Sequence, residues 1–321
     1  MNIKIVQDDL VDWRRIMSNS KKRVITAIIM GLIILPFIFF GSYFFFGLLA
    51  ILSFIATLEL VRMHNEKREL PKILNYTIPC FSPLLVILSM IASLINYQNG
   101  IKILIFGLVV IVVFLLILTL FFKELKVTDG FFYIGSILYG GLSFSLMGIV
   151  RNASIYSTKE LVIPGINLTI NLGGLALFAF ILLVNMLTDV FAYEMGKRFG
   201  KHKLIEDVSP NKTIEGSIYG TLFGSILGTA VFVGLELLLG MRLFGINNII
   251  LNIIVCLLIA VFLSIMSQIG DLIASKLKRE YELKDYGNLF PGHGGVMDRF
   301  DSLIISNAIF FIILIIFGVL L

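Results

Sequence analysis

Charge is scarce in this chain of 321 residues. Only 15% of them are Asp, Glu, Lys or Arg, whereas 58% are hydrophobic and the mean hydropathy is +0.98. A soluble domain is about a quarter charged and about half apolar. A water-exposed globular surface is therefore excluded, and an integral membrane protein is expected. Cysteine is scarcer still. Cys80 and Cys256 both sit in apolar runs and make no C-x-x-C pair, which excludes a disulfide framework and leaves both as small core residues. There is no repeat of 20–50 residues, no low-complexity tract and no soluble domain. The net charge of +5 is then a matter of topology, and no nucleic-acid partner is expected.

Long apolar runs are abundant. A helix crossing a bilayer needs about 20 such residues. Nine stretches qualify, near 24–40, 43–62, 74–95, 101–122, 130–149, 172–194, 215–239, 247–272 and 302–321. Only Gly41-Ser42 separates the first two, which predicts a tight helical hairpin. Lys and Arg test the count, because they accumulate on the cytoplasmic side. With the N-terminus inside, Lys102, Arg151, Lys159 and Arg242 fall outside and the other 22 of 26 fall inside. The expected fold is all-α: a polytopic integral membrane protein with about nine transmembrane helices, N-terminus cytoplasmic and C-terminus outside. Three regions follow. Residues 1–23 form a cytoplasmic tail, with a short amphipathic helix around Leu10–Met17 that sets Trp13 at the interface. Residues 24–170 hold about five spans and no motif. Residues 171–321 carry two polar cytoplasmic loops, 195–214 and 273–301.

Ionisable residues within spans are costly and default to a functional role. Asp189 and Asp271 end spans that lead directly into the polar loops. Glu59 ends the second span one turn before Arg62, a possible ion-pair partner, and Glu236 is expected at the outer interface. Asp271, Ser275 and Lys278 share one helix face. Asp298 and Asp301, three apart at the start of the last span, can converge. Three carboxylates with no cysteine and one nearby histidine suit a hard cation such as Mg²⁺, completed by water and substrate phosphates; the same acids also suit the positive end of a helix dipole. Lys278, Arg279, Lys284 and Arg299 supply positive charge, as do Lys197, Arg198 and Lys212 from the other loop. Gly292, Gly294 and Gly295 free the backbone beside a helix N-terminus, whose amides can receive phosphate.

At these residues the chain resembles a known family. Ser275-x-x-Lys278-Arg279, Lys284-Asp285-x-Gly287 and Pro291-Gly292-His293-Gly294-Gly295-x-x-Asp298-Arg299-x-Asp301 look like the signature of phosphatidate cytidylyltransferases, the CDP-diacylglycerol synthases. A second stretch is similar to that family at Asp189, Ala192, Tyr193, Gly196, Gly200, Ser209, Pro210, Lys212, Thr213, Glu215 and Gly216, with Val190-Phe191 and Val208 as departures. The resemblance implies a multi-span helical enzyme, a homodimer, that uses CTP, phosphatidic acid from the inner leaflet and Mg²⁺, with room for a second cation. It implies a site facing the cytoplasm of the cell membrane. The expected catalytic set is Asp271, Asp298, Asp301, Lys284 and His293, with Asp271, Asp298 and Asp301 as metal ligands. Substrate contacts are expected from Ser275, Lys278, Arg279, Asp285, Gly292, Gly294, Gly295, Arg299, Asp189, Tyr193, Ser209, Lys212 and Thr213. His293 either bonds a phosphate or braces its loop, and Asp189 either binds a second cation or orients a basic residue. Two other readings use similar features. A membrane polyprenol or lipid kinase using CTP would lack the full Lys-Asp…His-Gly-Gly…Asp-Arg run, and a secondary transporter would place its acids at the midplane in paired repeats.

Overall fold

The computed structural model describes residues 24–95, 97–153, 160–163 and 168–320; the expected tail 1–23, with its helix around Leu10–Met17, lies outside the described residues. Helix α1 (Val24–Phe40) stops at Gly41, which has a φ of 63°, and α2 (Ser42–Arg68) follows at once. A helix end leaves carbonyls without intrahelical partners. Here the fully buried Arg151 supplies the donors, reaching the carbonyls of Ile38 at 2.5 Å and Phe39 at 2.6 Å.

The chain continues through α3 (Leu74–Thr77), α4 (Phe81–Ile95) and α5 (Tyr97–Phe121) to α6 (Val127–Ile137). A π-helical turn, Leu138–Leu142, joins α6 to α7 (Ser143–Arg151). The hairpin β1–β2 (Glu160–Ile163, Leu168–Asn171) precedes α8 (Leu172–Phe199), and the hairpin β3–β4 (Lys203–Ile205, Ser209–Thr213) precedes α9 (Ile214–Leu239). Helices α10 (Ile249–Glu280) and α11 (Met297–Ile316) complete the described chain. Among the described residues, eight stretches are long and apolar enough to span a membrane, and α1, the first of the nine expected spans, is a shorter apolar helix. Large apolar side chains such as Phe106, Leu120, Leu238 and Leu258 point outward, as a lipid-facing surface requires.

Several helices overrun their expected ends. α10 has 32 residues, about 48 Å at 1.5 Å per residue, against a hydrocarbon core of about 30 Å. Ser275 and Lys278 stand on α10, as their shared helix face requires, with Arg279 beside them, and α11 starts at Met297, ahead of the apolar run at 302. Glu236 also departs from expectation. It is fully buried and accepts from the Leu243 amide at 2.8 Å and the Asn252 side chain at 2.6 Å, tying the link between α9 and α10.

Two close helix contacts position the polar ends. On α9, Gly216, Gly220, Gly224 and Gly228 recur every four residues along the face packed on α8. A Cβ at Gly216 would lie 2.6 Å from the Ala192 carbonyl oxygen, at Gly220 2.7 Å from that of Thr188, and at Gly224 2.5 Å from Thr188 Oγ1. Small residues at this spacing let helix backbones approach in a membrane. At Gly270 a Cβ would meet the Asp301 carbonyl oxygen at 2.8 Å, so α10 and α11 touch at the level of Asp271 and Asp301. Overpacking such a contact costs roughly 1–3 kcal/mol. Gly224→Val is expected to lower the thermal unfolding midpoint of the detergent-purified protein, whereas the same change at Gly234, which faces open space, leaves it nearly unchanged.

Candidate active site

Three hollows lie around the polar ends of α8, α10 and α11, and one of them, an apolar groove, shares a wall with each of the other two. The first, about 630 Å³, is walled by Asp189 and Tyr193 of α8, Asp271 of α10, and Ser209, Lys212 and Thr213 of β4. Local sequence explains these placements. Thr213 is the N-cap of α9, accepting from the Gly216 amide at 3.1 Å. Glu215 accepts from the amides of Lys201 at 3.0 Å and His202 at 3.2 Å, fastening the hairpin to α9. The hairpin then delivers the Lys212 ammonium to the Asp271 carboxylate. On the other side of Asp271, Ser275 donates to it at 3.2 Å, the expected one-turn pairing on one helix face. Lys197 of α8 also lines this hollow, as do Asn211, Ser217 and Gln268, and those last three carried no sequence signal.

The second hollow, about 560 Å³, is formed by the loop before α11, with Lys284, Asp285, Gly292, His293, Gly294 and Arg299 in its walls. The loop folds tightly: the Phe290 amide donates to the Gly294 carbonyl at 2.9 Å and the His293 amide to the Phe290 carbonyl at 2.8 Å. Gly292 and Gly294 at its turn have φ of 77° and 82°, a region glycine enters without penalty. The third hollow is an apolar groove of about 450 Å³ between α1, α2, α8 and α11. Asp189 belongs to both the groove and the first hollow, and Arg299 to both the groove and the second.

The carboxylates divide in a way the sequence did not indicate. The expected metal set was Asp271, Asp298 and Asp301. Asp298 instead spends its oxygens on the protein: Oδ1 accepts from Lys278 Nζ at 2.8 Å, and Oδ2 from the amides of Tyr286 at 2.8 Å and Gly295 at 2.9 Å. Its side chain is 2% exposed, against 25% for Asp271. Lys278 is consumed by the same pair, and Arg279 donates to the Leu283 carbonyl at 3.1 Å; neither lines any of these three hollows. Burial raises the Tyr286 phenol well above its ordinary range, so it stays a donor and bonds the Ala274 carbonyl at 2.8 Å. The acids that share a field are Asp189, Asp271 and Asp301. Asp271 acts electrostatically on both others, and Asp189 on Asp301. Among the described residues, no three Asp, Glu, His or Cys side chains converge closely enough to ligate one ion. In kind, these carboxylate oxygens are the donors a hard divalent cation takes, with water and substrate phosphates completing its shell.

The helix N-terminus also differs from expectation. The amides of Val296 and Met297 are occupied by Glu59 of α2, which accepts from them at 2.9 Å through Oε1 and Oε2. Glu59 makes no pair with Arg62, which instead donates to the Tyr76 hydroxyl at 3.2 Å. A Cβ on Gly295 would lie 2.2 Å from Glu59 Oε1 and one on Gly287 2.5 Å from it, while one on Gly294 would lie 2.7 Å from Asp298 Oδ2. Of the glycines that sequence assigns to a phosphate, Gly294 and Gly295 make room for the protein's own carboxylates, while Gly292 and Gly294 line the second hollow.

Residues 21–317 match the model of the cytidylyltransferase family. The chain is 34% identical over 285 residues to a phosphatidate cytidylyltransferase of Staphylococcus haemolyticus, covering 88% of this chain and 94% of the relative. It is 30% identical over 307 residues to one of Bacillus subtilis, covering 94% and 100%. A shorter stretch of 129 residues is 43% identical to one of Staphylococcus aureus, covering 40% and 45%.

Removing Glu59 leaves two buried amides unpaired, a cost of about 1–3 kcal/mol each. Glu59→Ala is expected to destabilise the protein by about that much or more in thermal unfolding, with Glu59→Gln, which keeps one acceptor, intermediate. An unchanged midpoint in both variants would remove Glu59 from this role.

Proposed function

We propose that this chain, which belongs to the cytidylyltransferase family, transfers CMP from CTP to phosphatidate, giving CDP-diacylglycerol and pyrophosphate. The observation that carries this reading is the junction of the hollows. A polar cavity lined by acids and Lys212 and a basic loop pocket each share one charged wall with an apolar groove. A reaction between a polyphosphate and a lipid phosphate needs such a meeting of surfaces, and full-length relatives named phosphatidate cytidylyltransferase support it.

In the proposed reaction a phosphatidate oxygen forms a bond to the α-phosphorus of CTP, and the bond from that phosphorus to the departing pyrophosphate breaks. The nucleophile is already an anion, so no general base has to remove a proton. Catalysis then rests on positioning and charge neutralisation. Lys212 and Asp271, in the first cavity, orient the nucleotide side. Lys284, Arg299 and His293 of the loop pocket receive phosphate charge. The groove lined by Leu49, Leu52, Leu182 and Leu303 takes an acyl chain, with Arg299 and Asp189 at its polar end. Mg²⁺, held by Asp271 with Asp301 and Asp189 nearby, would neutralise phosphate charge when bound. Asp298, with Lys278, holds the start of α11 in place. The clustering of Lys and Arg supports a site facing the cytoplasm, and the family resemblance supports a homodimer.

Purified full-length protein given labelled CTP, phosphatidate and Mg²⁺ is expected to move label into the lipid phase, and no transfer would overturn the reading. Chelating divalent cations should stop the transfer, and added Mg²⁺ should restore it. Asp271→Asn should reduce turnover about a hundredfold or more at unchanged membrane level. Leu182→Trp, which fills the groove, should raise KM for phosphatidate several-fold and leave KM for CTP unchanged.

A further inference from the structure

Gln268 of α10 lies one turn before Asp271 and lines the first hollow. It is 9% exposed. Its Nε2 donates to Thr221 Oγ1 of α9 at 2.9 Å and to the Ser217 carbonyl at 3.4 Å. A carbonyl only accepts, so the atom facing Ser217 is the nitrogen and the carboxamide has one orientation. Side-chain amides tie helices together in a membrane, and here that tie needs the nitrogen alone. Among the described residues nothing donates to the Gln268 Oε1. The oxygen is left as an acceptor at the wall of the hollow.

Two contacts fix its depth. A Cβ on Gly216 would lie 2.6 Å from the Ala192 carbonyl oxygen, so Ser217, the next residue and a partner of Gln268, is level with Ala192 and Tyr193 of α8. Thr188, one turn before Ala192, donates at 2.7 Å to Ser264, one turn before Gln268. Tyr193 and Gln268 thus line one hollow at one depth, and Tyr193 is 67% exposed. One turn further along α10, Asp271 meets the Lys212 ammonium. An aromatic ring with a free face and a fixed, uncharged acceptor therefore stand beside a charged pair. A planar base joined to phosphates matches that order, since bases stack on aromatic side chains.

We infer that Gln268 is a specificity-determining residue of the transfer: its Oε1 accepts a hydrogen bond from the exocyclic amino group of the cytosine of CTP, whose ring lies against Tyr193. The inference rests on the cytidylyl-transfer reading and adds how the base is chosen. Uracil carries a carbonyl oxygen where cytosine carries the amino group. It would set two acceptors against each other, and a site built to bond an N–H rejects the analogue that lacks it.

The test is the ratio of kcat/KM for CTP to that for UTP, measured on purified full-length protein. Wild type should favour CTP. Gln268→Leu should lower the ratio about tenfold or more, with KM for phosphatidate unchanged. Gln268→Glu keeps an acceptor, and the Thr221 hydroxyl can donate to it. It should keep the preference for CTP, although its added charge near Asp271 slows both nucleotides. Equal kcat/KM for the two nucleotides in wild type overturns the inference. So does a Gln268→Leu protein that keeps the wild-type ratio while both rates fall with the amount of folded protein, which marks Gln268 as a tie between α9 and α10 alone. Loss of the preference in Gln268→Glu would overturn the acceptor role. An inactive wild-type protein would instead sink the transferase reading.

Discussion

A carboxylate on α2 anchors the geometry of the site. Glu59 accepts the first free amides of α11 across separations of 237 and 238 positions. A buried carboxylate is tolerable only when its oxygens are bonded, and backbone amides at a helix start are strong partners for it. Once Glu59 is seated, much of the surrounding loop is determined. Gly287 and Gly295 must lack side chains, and the Gly295 amide turns to Asp298. Asp298 in turn gathers Lys278 and the Tyr286 amide. A second tie runs nearby: His64 of α2 bonds Asp129 of α6 at 2.9 Å and the Tyr281 hydroxyl, just past α10, at 2.8 Å. The helices that carry no recognisable motif thus clamp those that do.

Two lysine–aspartate pairs flank this clamp. The Lys278 and Asp298 side chains are 10% and 2% exposed, those of Lys212 and Asp271 30% and 25%. Separating the first pair would leave a buried charge uncompensated. The second faces a cavity where water or a ligand can replace either partner. The same residue types therefore do different work according to depth: one pair fixes a loop and the other lines an open cavity.

Much of this was legible in the sequence. The spans followed from apolar run length, and the loop motifs named residues such as Asp189, Lys212, Asp271, Lys284 and Arg299 that line the first two hollows. The glycine stripe of α9 was also readable, as four glycines at a spacing of four. Asp298 was harder. An acid three residues before another at a helix start reads equally as a ligand or as a cap, and only the position of Lys278 and the Tyr286 and Gly295 amides decides between them. The role of Glu59 was beyond reach, because its partners lie more than two hundred positions away. Helix ends shifted because hydropathy marks the bilayer edge, whereas hydrogen bonding lets α10 continue past it.

The walls shared between hollows bear on how kinetics on this protein can be read. Asp189 borders both the polar cavity and the apolar groove, and Arg299 borders both the groove and the loop pocket. A substitution at either position perturbs two hollows at once, so its effects cannot be apportioned to one of them. Positions private to a single hollow, such as Tyr193 on the polar side or Leu182 on the apolar side, are the ones whose effects can be attributed.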